Sequence, residues 1–230
     1  MEHKISIKTV NGILSLDEFK THIIAKSDIV GVVLQTEVIG IIISLDQWEE
    51  KWCSKDKIKI FSEYCNHSET LQIMRGSEFT QYIVTQNKED KEAMTAAMRC
   101  WQYKKGGLKW YLPSVYELST ISAYYSELNK VLEAMNEESF GPDDWYWSSC
   151  EGYDSHEERN NCDKAWIMYL PDGDFSSEDK TCHHAVRAVS AYRPLQTETN
   201  TYPAPMTIGS AISFLKSQGY TGELTKKIHI

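Results

Sequence analysis

Much that would identify a function at once is missing from this 230-residue chain. The amino terminus, MEHKISIKTVNG, has no basic stretch leading into an apolar one, so no secretory signal is expected. The most apolar run, Ile29 to Leu45, is interrupted by Gln35, Thr36 and Glu37 and is too short to span a bilayer. Six cysteines are scattered without a C-x-x-C pair, which favours free thiols over a disulfide framework and omits the short knuckle of structural zinc sites. A formal charge of −9 with no basic face argues against a phosphate-backbone partner. No phosphate loop, Ser-His-Asp arrangement or paired catalytic carboxylates can be argued for.

What remains is an ordinary globular composition with an uneven charge. Hydrophobic residues make up 41% and charged residues 25%, enough for one large domain or one domain with a smaller companion. From Asp143 to His184 there are eleven acids and three bases, so this region alone carries −8. Its partner is expected to be neutral or cationic. Within it lies DWYWSSCEGYDSHEERNNCDKAW, residues 144 to 166, in which large aromatics bracket a polar stretch. The aromatics read as a frame and Cys150 to Lys164 as a loop held out to solvent.

Local patterns place the elements. Ser15-Leu16-Asp17-Glu18 fits a capping box that starts a short helix, and Ile29 to Leu34 and Val38 to Leu45 read as a buried hairpin. Ser44-Leu45-Asp46-Gln47 repeats the capping signal and predicts a helix carrying Trp48 and Trp52. Strand-like pieces are expected around Lys57 to Phe61 and Phe79 to Thr85. From Glu89 to Trp101 the period turns helical, with Met94, Ala97, Met98 and Trp101 on one face. Ser114 with Glu117 opens another helix after Pro113, and a further helical piece follows over Glu127 to Met135. Short strands are predicted at Tyr146 to Ser149, Ala165 to Tyr169 and His184 to Ala191, with a turn at Pro171 to Asp174. A Pro/Thr-rich linker and a small helix over Thr207 to Ser217 close the chain. The class is α+β.

Four ordered motifs then carry a resemblance. Trp110-Tyr111-Leu112-Pro113-Ser114 with Glu117-Leu118, Tyr146-Trp147-Ser148-Ser149 with Glu151, Ala165-Trp166 followed by Asp172-Gly173, and Val186-Arg187-Ala188-Val189 together resemble a family of bacterial and phage C-type-lectin-like domains of unknown function. The resemblance implies a C-type-lectin-like fold, of the formylglycine-generating-enzyme-like kind, over 88–192. An N-terminal β-hairpin and helix extension would occupy 1–87, and the linker and short C-terminal helix 193–230. Trp147, Glu151, Trp166, Gly173 and Arg187 would be structural, with Arg187 paired to a buried acid such as Glu151 or Glu117.

The functions implied are mainly non-enzymatic. In related variable proteins of diversity-generating retroelements, the last β region presents a ligand-binding surface, much as antibody loops do. The corresponding candidates here are Cys150, Tyr153, Asp154, Ser155, Asn160, Ile167, Tyr169, Asp174, Ser176 and His183, facing a protein or cell-surface ligand. A phage-associated or retroelement-diversified binding protein, cytoplasmic or carried on a particle and without cofactor, is the leading expectation. The alternatives are a tail- or fibre-type assembly protein that forms a homo-oligomer, and a cysteine-dependent oxidase using Cys150, Cys162 or Cys182. Neither a metal site nor a calcium site at Asp172, Asp174, Glu178 and Asp179 is expected, because solvated acidic turns are common.

Overall fold

Two β-branched runs, too apolar to sit at an edge, make the centre of the molecule: β3 (Ile29–Gln35) and β4 (Gly40–Lys51), paired antiparallel from Gly31–Ser44 to Gln35–Gly40. Gly31 is required there, since a Cβ at this position would collide with the Ile43 carbonyl of the neighbouring strand. The computed structural model describes residues 4–54, 76–86, 94–152 and 163–193. The chain divides into two compact units, Met1–Arg193 and Pro194–Ile230. All described residues lie in the first; the predicted linker after Arg193, the helix over Thr207 to Ser217 and the piece around Lys57 to Phe61 fall outside the described residues.

The other elements are β1 (Lys4–Thr9), β2 (Gly12–Leu14), α1 (Leu16–Thr21), α2 (Gly76–Gln86), α3 (Thr95–Gln102), α4 (Val115–Ala123), α5 (Tyr125–Ala134), β5 (Trp145–Glu151), β6 (Lys164–Tyr169), β7 (Asp174–Asp179) and β8 (His183–Ala191). Among the described residues the strands form one sheet in the order β2-β1-β3-β4-β8-β5-β6-β7. Every pairing is antiparallel except β5 with β8, which run parallel and meet at Tyr146 and Ala185.

Alternation along the strands divides the core in two. Ile41, Ile43, Tyr146 and Met168 join Leu118, Ile121, Leu128 and Val131 of α4 and α5. Ile42, Trp147, Ile167 and Val186 join Ile83 of α2 and Ala96, Ala97 and Cys100 of α3. The buried face of α3 is therefore Ala96, Ala97 and Cys100, while Trp101 is 38% exposed, a rotation from the face that sequence spacing predicts.

The C-type-lectin-like fold, with its hairpin as an N-terminal extension, is not the fold observed. The hairpin strands are central members of a mixed eight-stranded sheet, and β8 binds β4 from Ile41–Ala191 to Lys51–His183. Burial on both sides makes these strands part of the core rather than an appendage. The observed class is a large mixed sheet flanked by a few helices.

Two local expectations are also corrected. Ser44-Leu45-Asp46-Gln47 does not start a helix, because β4 continues through it with a bulge. Four steps along β4, from Ile43 to Gln47, match two along β8, from Val189 to Arg187. The Ser44 hydroxyl donates to the Asp46 carbonyl at 2.8 Å instead of capping. Phe79 to Thr85 belongs to α2, whose Thr80 hydroxyl donates to the Leu112 carbonyl and accepts from the Leu112 amide.

The capping boxes at Ser15/Glu18 and Ser114/Glu117 form as their spacing predicts. The segment Trp110 to Ser114 fills the space where β5 and β8 part. Tyr111 exchanges two backbone hydrogen bonds with Val189, and the Pro113 carbonyl accepts from the Ser149 amide at 2.8 Å.

Candidate functional site

Where β4, β8 and the start of β5 converge, the chain leaves a cavity of about 410 Å³. Its shape follows from register. On β8, His183, Ala185 and Arg187 share one face, and opposite them on β4 stand Lys51, Glu49 and Gln47. The small Ala185 side chain leaves the space that a larger residue would fill. The loop between α5 and β5 closes the cavity with Glu138, Asp143 and Asp144.

The wall is pre-organised. Gln47 Oε1 accepts from the Tyr146 hydroxyl at 2.7 Å, Gln47 Nε2 donates to Asp144 Oδ2 at 3.1 Å, and the Gly141 amide donates to the Tyr146 oxygen at 3.1 Å. Burial pushes the Tyr146 hydroxyl well above its ordinary pKa, so it remains a donor.

Behind this network lies Arg187, 2% exposed. It donates to the Ser44 and Leu45 carbonyls freed by the β4 bulge, both at 2.9 Å, and to the Glu138 carbonyl at 2.6 Å. Its guanidinium lies 4.4 Å from the Phe140 ring centroid. Burial pushes its pKa down to about 10, which leaves it charged at neutral pH. The acids expected as its partners stand elsewhere. Glu117 accepts from the Ser114 amide and the Tyr111 hydroxyl, while Glu151 pairs with Lys180.

Electrostatically the cavity is one-sided. Among the described residues, Glu49, Glu138, Asp143 and Asp144 line it without a lysine or arginine, while the Arg187 charge behind it interacts with Glu138. Of its two histidines, His184 packs edge-on against Trp147 at 4.8 Å. Desolvation lowers the His184 pKa, so this ring is neutral at pH 7. The His184 Nε2 atom is shut off from solvent and has no hydrogen-bond partner among the described residues.

The residues singled out by sequence are only partly brought together. His183 lines the cavity, and Tyr169 stands near the same end of the sheet, its ring 5.5 Å from Trp145 and its hydroxyl donating to the Pro142 carbonyl at 2.7 Å. Asp174 and Ser176 are exposed on the edge strand β7, opposite Tyr169 and Ile167. Cys150 and Ile167 are buried in the core. Tyr153, Asp154, Ser155, Asn160 and Cys162 lie outside the described residues.

The framing residues have clear roles. Trp147 donates from Nε1 to the Glu50 carbonyl at 3.0 Å, and Trp166 packs on Phe175 at 5.5 Å. Gly173 turns the chain into β7 with φ 83°, a left-handed conformation that favours glycine. Glu151 and Lys180 form an ion pair with side chains 2% and 1% exposed, and the Lys180 ammonium lies 4.5 Å from the Trp52 ring centroid.

Gln47, Glu49, Glu138 and Lys180 were not singled out by sequence as site or framing residues. The signals pointing toward the cavity were the candidate His183 and the acid count after Asp143. Among the described residues no group of three or more His, Cys, Asp or Glu is spaced to hold a metal ion, and no helix is long and apolar enough to cross a membrane.

No protein-family model matches this sequence, and no curated protein matches it. Among solved structures, the fold is similar to that of a fimbrial protein from Bacteroides ovatus, with a TM-score of 0.62 and 15% sequence identity. The match covers 81% of this chain and 48% of that protein, so the chain spans about half the length of the structure it resembles. The likeness establishes shared architecture and agrees with the mixed sheet described above.

Proposed function

We propose that this chain is a non-enzymatic, fibre-type assembly protein. The observation that carries the reading is its likeness in fold, over 81% of its length, to a protein described as fimbrial. The thiols fit a non-enzymatic role. Burial pushes Cys100 up, and desolvation, with Glu178 and Asp179 nearby, pushes Cys182 up. Both shifts oppose the thiolate on which cysteine chemistry depends.

Electron microscopy and light scattering on the full chain, isolated from its native source without denaturant, test the proposal. Filaments or higher-order particles labelled along their length by antibody to this chain are expected. A monomer at every concentration, with no labelled particle in the source material, would contradict it.

A second reading, a protein that binds a partner by its surface rather than by assembling, is favoured by the cavity beside His183. In that case binding would persist in a monomeric preparation.

A further inference from the structure

We propose that the seam between β5 and β8 is a pH-sensitive latch, in which protonation of His184 releases its ring from Trp147 and opens the sheet locally at Tyr146 and Ala185. The inference goes beyond the fibre reading and does not depend on it.

The seam is the thinnest joint in the sheet. On one side β4 and β8 pair from Ile41–Ala191 to Lys51–His183, and on the other β5 and β6 pair from Trp145–Tyr169 to Glu151–Ala165. Between these ladders, β5 and β8 register only at Tyr146 and Ala185 among the described residues. Further along, Tyr111 and Pro113 bridge the parting strands through Val189 and Ser149. At the His184 end, side chains hold β5 in place. Trp147 donates to the Glu50 carbonyl at 3.0 Å, the Tyr146 hydroxyl donates to Gln47 at 2.7 Å, and the His184 ring packs edge-on against Trp147 at 4.8 Å. Local opening costs least where few ladder bonds close the structure.

Of these side chains, His184 is the one whose charge changes near neutral pH. Its Nε2 atom is closed to solvent and has no hydrogen-bond partner among the described residues. The imidazolium carries an N–H on both ring nitrogens. Whichever nitrogen holds the first proton, the charged ring therefore keeps one N–H where neither acceptor nor water meets it. Swinging the ring away from Trp147 removes that cost.

The surrounding charges oppose this and are outweighed. Glu49 and Glu50 stand on β4, Glu178 on β7, and Glu138, Asp143 and Asp144 across the cavity. Against them are Lys51, opposite His183, and Arg99 of α3, which is paired with Glu50. Burial exceeds the pull of Glu178 and Glu49 and holds the His184 pKa below its ordinary value. Once the ring has swung out, the same carboxylates favour its charged form, so protonation and opening reinforce each other.

Hydrogen exchange on the full chain at pH 7.5 and 5.0, with rates corrected for intrinsic exchange at each pH, tests the proposal. Protection over 145–147 and 184–186 should fall severalfold at pH 5.0. The ceiling is about thirtyfold, which is what one proton of ordinary pKa 6.5 supplies there. Protection in β3 should change by less than about twofold, and return to pH 7.5 should restore the seam. His184→Phe and His184→Gln should abolish the fall, while His183→Gln should keep it.

Unchanged wild-type protection at the seam would overturn the proposal. So would the same fall in either His184 variant that folds, because the titrating group would then lie elsewhere. An equal fall in β3 would also overturn it, since the event would be global unfolding rather than a latch.

Discussion

Carboxylates meet two different fates in this sheet. At β5 the chain buries Glu151 and places Lys180 against it under the Trp52 ring, so the charge is neutralised from within. At the β4–β8 seam it gathers four carboxylates around a cavity whose lining, among the described residues, includes no lysine or arginine. Taking a charge out of water costs several kcal/mol unless it is paired, whereas a solvated cavity carries unpaired carboxylates cheaply. The first arrangement is a structural ion pair, and the second is a set of carboxylates left to solvent.

A parallel contrast separates the two buried cations. Lys180, a compact point charge, sits against a carboxylate. Arg187 is held by carbonyl oxygens and the Phe140 ring, and among the described residues it forms no direct ion pair, with Glu138 and Asp46 acting on it only at longer range. The delocalised guanidinium spreads its charge over five donors, which lets the dipoles of a strand bulge support it. Each cation stands beside a two-residue bulge, one on β4 against β8 and one on β5 against β6.

The largest effect should come from breaking the sealed pair. Glu151→Ala leaves Lys180 buried without its carboxylate and should cost roughly 3–5 kcal/mol of unfolding free energy, measured by denaturant titration. A loss below about 1 kcal/mol would mean that the pair is hydrated rather than sealed. Next, Arg187→Lys removes the fork that reaches the bulge carbonyls and should cost about 2 kcal/mol. If lysine there is neutral to stability, the guanidinium geometry is not what supports the bulge.

A smaller, pH-dependent effect belongs to His184. Its folded pKa lies below the ordinary value of 6.5, with desolvation the main cause and Glu178 and Glu49 opposing it. The unfolded chain therefore takes up this proton first. Stability from the neutral ring is complete above 6.5 and is lost as pH falls through 6.5 toward the lowered folded pKa. Unfolding curves of wild type and His184→Gln between pH 7.5 and 5 should diverge in that direction, and superimposable pH profiles would remove His184 from the account.

The smallest change is expected from Glu49→Gln/Asp143→Asn, which should alter unfolding free energy by no more than about 0.5 kcal/mol. A marked destabilisation would show that the cavity acids are structural, like Glu151, and would erase the contrast.

The sequence made some of this legible and hid the rest for physical reasons. The β-branched runs of β3 and β4, the Ser114/Glu117 cap and the aromatic strands β5 and β6 carry strong local signals, and they form where expected. The near-identical tetrapeptides SLDE and SLDQ show the limit. Ser15 caps α1, with Glu18 returning to its amide at 2.7 Å, whereas Ser44 lies in a strand and Gln47 is taken by Tyr146 and Asp144. Burial between β3 and β8 overrides the local capping preference at Ser44. Edge strand β7, DFSSED, has too little apolar alternation to read as a strand. The cavity was illegible because it joins residues 47–49, 138–144 and 183–185, which only sheet register brings together. The ordered motifs suggested a different fold because their residues make general packing and capping contacts, as Trp147, Glu117 and Tyr111 do here.

The contrast between paired and solvated carboxylates is met most directly by denaturant unfolding of Glu151→Ala beside Glu49→Gln/Asp143→Asn. The account predicts a loss of roughly 3–5 kcal/mol for the first and no more than about 0.5 kcal/mol for the second. Equal losses in the two variants would contradict it.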